Sequence, residues 1–133
     1  MKDDISKRKD KNQVVMVVDD NHYNLLALTK MLEQEGLIVV SVENGLDAIK
    51  IFQKGNFPDL VFMDIKMPVL DGYATMKEIK KLLPSIKVIA ETAYGLEGDR
   101  NLILKAGFDG YLAKPITRQS LEEILDYFLR STR

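Results

Sequence analysis

Short runs of β-branched and apolar residues recur along the chain, separated by stretches in which leucine and isoleucine repeat at helical spacing. The runs are VVMVV (Val14–Val18), IVVSV (Ile38–Val42), LVFM (Leu60–Met63), KVIA (Lys87–Ala90) and GYLA (Gly110–Ala113). The first and third are apolar throughout rather than alternating, the pattern of strands covered on both faces, so they predict a parallel sheet. Between the runs, Leu25, Leu28 and Leu32, with Leu26 alongside, predict a helix that Gly36 stops. Asn44 caps a second helix carrying Ala48, Ile49 and Phe52 and ending near Gly55. Gly72 precedes a third with Met76, Ile79, Leu82 and Leu83, stopped by Pro84. Leu96–Ala106 forms a fourth, ended by Gly107, and Thr117 caps a last helix striped by Leu121, Ile124, Leu125 and Phe128. Five strand–helix units in order, joined by right-handed crossovers, build a doubly wound α/β fold.

The first residues fall outside this pattern. MKDDISKRKDKNQ, residues 1–13, is almost wholly polar or charged and reads as a disordered lead-in or linker. Residues 14–133 read as one domain, of a length that buries a substantial core. No apolar run approaches the roughly 20 residues of a membrane-spanning helix, and the polar start has no signal-peptide core. With 19 basic and 20 acidic residues the net charge is −1, which gives no general pull toward nucleic acid or an anionic membrane. The absence of cysteine rules out disulfides, thiolate zinc sites and cysteine catalysis, and fits a reducing cytoplasm.

In doubly wound sheets, ligands bind beyond the carboxyl ends of the strands, where strand order reverses. That edge is where the chemistry gathers. Asp19 and Asp20 end the first strand, Asp64 the third, Glu91 and Thr92 the fourth, and Lys114 the fifth. Three carboxylates in one cleft repel one another and raise each other's pKa. A divalent cation removes that repulsion, and Mg²⁺ favours hard oxygen ligands. Asp20 and Asp64 can each supply an oxygen, while Asp19 can hold a coordinated water or its neighbour. Asp64 can also act as a nucleophile toward phosphorus, giving an acyl phosphate. The cation, the Lys114 ammonium, the Thr92 hydroxyl and backbone amides such as that of Ala93 would then neutralise the phosphoryl oxygens. A cis peptide at Lys114–Pro115 would help aim the lysine inward. Glu91 is expected to face solvent and takes no role. His22, the only histidine, reads as an exposed residue at a helix start.

Four stretches in this order, VVDDN (Val17–Asn21), MDIKMPVLDG (Met63–Gly72), ETAYG (Glu91–Gly95) and GYLAKPI (Gly110–Ile116), make the chain resemble the receiver domains of two-component response regulators. The resemblance runs from about Val14 to the last helix. It implies a five-stranded parallel sheet of order 2-1-3-4-5 with five helices. Asp64 would be the phosphoacceptor, taking its phosphoryl group from a phosphohistidine on a histidine kinase or histidine phosphotransfer protein. Asp19 and Asp20 would organise Mg²⁺, with the backbone carbonyl of Lys66 as a further ligand. Lys114 and Thr92 would contact the phosphoryl group. Tyr111 would be an aromatic switch, turning inward as Thr92 moves, so that the fourth helix, fifth strand and fifth helix present an altered face. The side chains of Lys66 and Tyr94, each two residues past a site residue, are expected to restrict or orient the water that hydrolyses the acyl phosphate. The outer residues of the last helix are candidates for a weak homodimer contact.

The segments Asp19–Asn24 and Met67–Gly72 look most like receivers of hybrid sensor histidine kinases, which leaves open a piece of such a kinase or a stand-alone shuttle. Either way the expected activity is signalling with self-catalysed phosphotransfer, not metabolic catalysis. A Mg²⁺-dependent aspartyl-phosphate phosphatase would carry a second carboxylate two residues after its nucleophile, where this chain has Lys66. A flavodoxin-like carrier would offer hydroxyls and glycines where this chain has Asp19-Asp20-Asn21. A non-phosphorylated receiver that only binds a partner is disfavoured, because every residue that phosphorylation needs is present.

Overall fold

The computed structural model describes residues 12–93 and 97–130. They form strands β1 (Val14–Val18), β2 (Ile38–Val42), β3 (Leu60–Asp64), β4 (Val88–Thr92) and β5 (Gly110–Ala113). These alternate with helices α1 (His22–Gln34), α2 (Gly45–Gln53), α3 (Gly72–Leu82), α4 (Glu97–Ala106) and α5 (Arg118–Leu125). A π-helical turn, Asp126–Arg130, continues α5. The sheet has the order β2-β1-β3-β4-β5 with every pair parallel. This is the doubly wound fold expected, with the order reversing between β1 and β3.

Alternation along the strands divides the core in two. Val15, Val17, Leu60, Phe62, Ile89 and Leu112 pack with Leu25, Leu28 and Leu32 of α1 and Leu121 and Leu125 of α5. Met16, Val18, Val61, Met63, Val88 and Ala90 pack on the other face with Phe52 of α2, Met76 and Ile79 of α3 and Ile103 of α4. The three inner strands are buried at every position, which is why they lack a polar alternation. Leu26, off the α1 stripe, is 44% exposed.

The helix starts are set by side-chain caps. Asn44 and Thr117 take the capping positions expected, their side chains accepting from the Asp47 and Ser120 N–H groups. Asn21 and Asp71 cap α1 and α3 in the same way. Gly36 and Gly55 follow α1 and α2 with φ of 85° and 82°, a region that penalises a side chain.

β3 ends at Asp64 and β4 at Glu91 and Thr92, the strand ends expected, while β4 starts one residue later than its apolar run. The ladder continues past the last apolar residue because neighbours are there to pair with it: the Ile65 N–H donates to the Glu91 carbonyl and the Lys114 N–H to the Thr92 carbonyl. Leu83 lies just beyond α3, as its C-cap. Gln13, expected to belong to the lead-in, is held by the fold. Its carbonyl accepts from the Ile38 N–H, and its side-chain amide donates to the Leu129 carbonyl. Residues 1–11 of the expected lead-in lie outside the described residues.

Candidate functional site

The carboxyl edge of the sheet gathers the acids. Asp19 follows β1 and is still tied to the sheet, its N–H donating to the Val42 carbonyl at 3.0 Å. Its side chain is fully buried, and Oδ1 accepts from the Asn21 N–H at 2.9 Å. Asp64 closes β3 and is buried, while Asp20 is exposed. One carboxylate oxygen from each of Asp19, Asp20 and Asp64 lies within 4.8 Å of the others. Lys114 reaches in from the end of β5, with Nζ 3.5 Å from Asp19 Oδ2 and 3.6 Å from Asp64 Oδ1. The Lys114–Pro115 peptide is cis. Asp20, Asp64, Lys66, Thr92, Ala93 and Lys114 all line one open cleft of about 350 Å³.

The electrostatics follow from this packing. Burial and then the neighbouring Asp19 charge push the Asp64 carboxyl up to about 6. The Lys114 ammonium and the Lys66 N–H, which donates to Asp64 Oδ1 at 3.2 Å, work in the opposite direction and leave the rise in place. A carboxylate that resists ionisation beside two other acids is an acid short of positive charge.

The loop after Asp64 is shaped by close backbone contact. The Gly72 N–H donates to the Ile65 carbonyl at 3.1 Å. A Cβ on Gly72 would collide with the Asp64 carbonyl oxygen and come within 2.6 Å of the Ile65 Cα. Glycine there lets α3 start directly against the end of β3. Within the same loop Val69 adopts φ of 68°, with the Leu70 N–H donating to the Pro68 carbonyl across it at 2.7 Å, a γ-turn.

Thr92 ends β4 and is buried. Tyr111 pairs with Ala90 across β4 and β5, so it lies on the same face of the sheet as Thr92. Its ring is half-buried against the core of that face and sits under the Arg100 guanidinium, 5.8 Å from the ring centroid. Lys66 is exposed at the cleft. Tyr94 lies outside the described residues. His22 is exposed at the start of α1, as expected, with Nδ1 3.7 Å from the Glu43 carboxylate.

Glu91 overturns the expectation of a solvent-facing side chain. It is 1% exposed and shares the α1/α5 face with Ile89. Its carboxyl lies against that of Asp19, and burial, reinforced by the Asp19 charge, pushes its pKa well above the usual carboxylate range. The sign of this was in the alternation of β4, since Glu91 is two residues after Ile89. Asn24 is a second residue not foreseen: it brings α1 to the rim of the cleft.

Residues 15–126 match the response regulator receiver domain family, and the chain belongs to it. It is a receiver domain of two-component signalling. It is 41% identical over 118 residues to hybrid signal transduction histidine kinase L of Dictyostelium discoideum, covering 84% of this chain and 7% of that protein. It is 36% identical over 111 residues to chemotaxis protein CheY of Halobacterium salinarum, covering 84% of this chain and 92% of that one. The chain thus spans a small part of the hybrid kinase and nearly all of the CheY relative. A solved receiver domain of a sensor histidine kinase from Pseudomonas aeruginosa PAO1, described with a magnesium ion coordinated in the active site cleft, superposes with a TM-score of 0.80. It shares 36% identity with this chain, over 88% of this chain and 97% of that one.

Proposed function

We propose that the chain accepts a phosphoryl group from a phosphohistidine onto Asp64. The observation that carries this reading is the Asp64 carboxylate at the carboxyl edge of the sheet, between an acidic pair and the Lys114 ammonium. An Asp64 oxygen attacks phosphorus, the P–N bond breaks, the imidazole leaves with a proton taken up, and an acyl phosphate remains. Lys114 and Thr92 hold the transferred oxygens. The donor is a histidine kinase or a histidine phosphotransfer protein.

The donor set fits Mg²⁺. Three carboxylates present hard oxygens within 4.8 Å of one another, and the buried Asp19 Oδ2 has no hydrogen-bond partner. Asp19, Asp20, Asp64 and the Lys66 carbonyl would hold the ion, which when bound neutralises the acids and the phosphoryl oxygens. On the opposite face of the sheet Thr92 and Tyr111 form the switch that carries phosphorylation to the α4–β5–α5 face. Lys66 and Tyr94 set access of the hydrolytic water, so Lys66→Ala and Tyr94→Ala change the dephosphorylation rate. An unchanged rate in both refutes that assignment.

The likeness to a hybrid kinase supports a receiver working within such a cytoplasmic signalling chain. The full-length match to a CheY supports a second reading, a stand-alone response regulator. Intact-mass spectrometry after incubation with a small phosphodonor and Mg²⁺, then with a phosphohistidine protein, tests the function. One phosphoryl adduct is expected, lost in Asp64→Asn and without metal. No adduct with either donor refutes it.

A further inference from the structure

The Tyr111 ring is tied to a residue that phosphotransfer as just described does not use. Arg100 is exposed on α4, and its guanidinium carbon stands 5.8 Å from the centroid of the half-buried Tyr111 ring, within the range of a cation–π contact. Arg100 lies one turn before Ile103, on the same side of α4. Ile103 is 1% exposed and belongs to the core against which the Tyr111 ring packs. The helix is thus fastened to this face of the sheet by an apolar anchor and, one turn earlier, by a cation over an aromatic face. In register Tyr111 stands opposite Ala90 and Thr92 opposite Ala113, so ring and hydroxyl share that face at the carboxyl edge. A ring lying under a surface guanidinium cannot turn into the core without giving up the contact.

We propose that Arg100 is a positioning residue that latches Tyr111: its guanidinium holds the ring outward while Asp64 is unphosphorylated, and the inward turn of the ring breaks this tie to the start of α4. The inference rests on the reading of Tyr111 as the switch. A cation over a partly exposed ring biases such a balance by about two- to fivefold. Whatever loads the phosphoryl site and draws the ring inward must break the latch, so loading is weakened by the same factor while the latch is present. The sign of this effect sets the latch apart from plain electrostatics. A positive charge that merely lay near the cleft would attract an anionic group, and its loss would weaken loading. Loss of a latch strengthens it.

The test is equilibrium titration of the whole chain with beryllium fluoride in saturating Mg²⁺, a stand-in for a phosphoryl group on a carboxylate, followed by backbone-amide and tyrosine-ring NMR. The Tyr111 ring signal is the one lost in Tyr111→Leu. Arg100→Gln removes the cation and is expected to bind about two- to fivefold more tightly than the unmodified chain. Before any addition, its Tyr111 signal is expected to lie part of the way toward the loaded position. Arg100→Lys, which keeps a cation, is expected to stay within about twofold of the unmodified chain. In Tyr111→Leu, where no ring is left to hold, adding Arg100→Gln is expected to leave the midpoint unchanged. Unchanged or weaker binding in Arg100→Gln overturns the proposal, as does a gain of equal size in the Tyr111→Leu background. Arg100→Ala supplies the readout if the glutamine variant does not fold, and unfolding of both overturns the proposal in favour of a structural role. The unmodified chain marks the other level of failure. If its Tyr111 signal moves on loading and Arg100→Gln changes nothing, the switch reading stands and the latch alone falls. If it binds without moving that ring, or does not bind, the switch reading and the latch fall together.

Discussion

Replacing Asp64 with asparagine should make the metal-free protein more stable, by an amount that depends on pH. The substitution keeps the size of the side chain and an oxygen to accept the Lys66 N–H, and it deletes one negative charge. In the metal-free protein that charge is buried next to Asp19, and the carboxyl is pushed up from 3.8 to about 6. A rise of about two units is a penalty of about 3 kcal/mol on the ionised form. Below its unfolded pKa the group is protonated in both states, and the penalty is absent. Above about 6 it is ionised in both states, and the native protein carries the penalty in full. Between the two, the native state binds more protons than the unfolded state, so this group lowers stability as pH rises. The lost attraction to Lys114 is already contained in the net shift, because Lys114 acts against the rise. Glu91 adds to the effect with the same sign, since the Asp64 charge is among the causes that raise it.

Urea unfolding of both proteins in chelator, from about pH 4 to about pH 7.5, reads this out as a difference in which groups common to both cancel. The Asp64→Asn advantage should be near zero at the acid end and reach about 2–3 kcal/mol at the neutral end. Saturating Mg²⁺ should close much of the gap, since it stabilises the protein that binds it, by about 2.7 kcal/mol at a hundred times its Kd. A difference that is flat with pH, or a variant less stable than its parent at neutral pH, would refute the electrostatic account of the site.

Three further substitutions test how the site is held. Gly72→Ala forces a methyl group against the Asp64 carbonyl oxygen and the Ile65 Cα, and should destabilise by about 3 kcal/mol in urea unfolding; an unchanged midpoint would mean that α3 can back away from β3. Val69→Gly should stabilise by about 1 kcal/mol, because a β-branched residue at φ of 68° is strained and this one, 96% exposed, has little packing to lose. Thr117→Ala should lower stability by about 1 kcal/mol by stripping the α5 cap, with Thr117→Ser restoring most of it; equal effects of alanine and serine would show that the cap hydroxyl contributes nothing.

What could be read from the chain before folding, and what could not, divides along the range of the interactions. The uninterrupted apolar runs at Val14–Val18 and Leu60–Met63 announce burial on both faces, and with it a parallel sheet whose carboxyl edge collects Asp19, Asp20, Asp64, Thr92 and Lys114. The apolar runs stop short of the strand ends, because hydropathy marks the last apolar residue whereas a strand ends where its partners do. Glu91 and Thr92 stay in β4 because Ile65 and Lys114 supply N–H donors to them. Side chains alternate between faces with every residue, so knowing that the strand persists is what assigns Glu91 to the α1/α5 side with Asp19 and Thr92 to the other with Tyr111. Gln13 shows the same limit at longer range: its side chain bonds the carbonyl of Leu129, 116 residues away, and nothing in its own neighbourhood marks it as folded. The acids at the site were legible because charge at a strand end is a local signal. The acid behind them was not, because it is a core position by topology and a surface residue by composition, and only the packed sheet distinguishes the two.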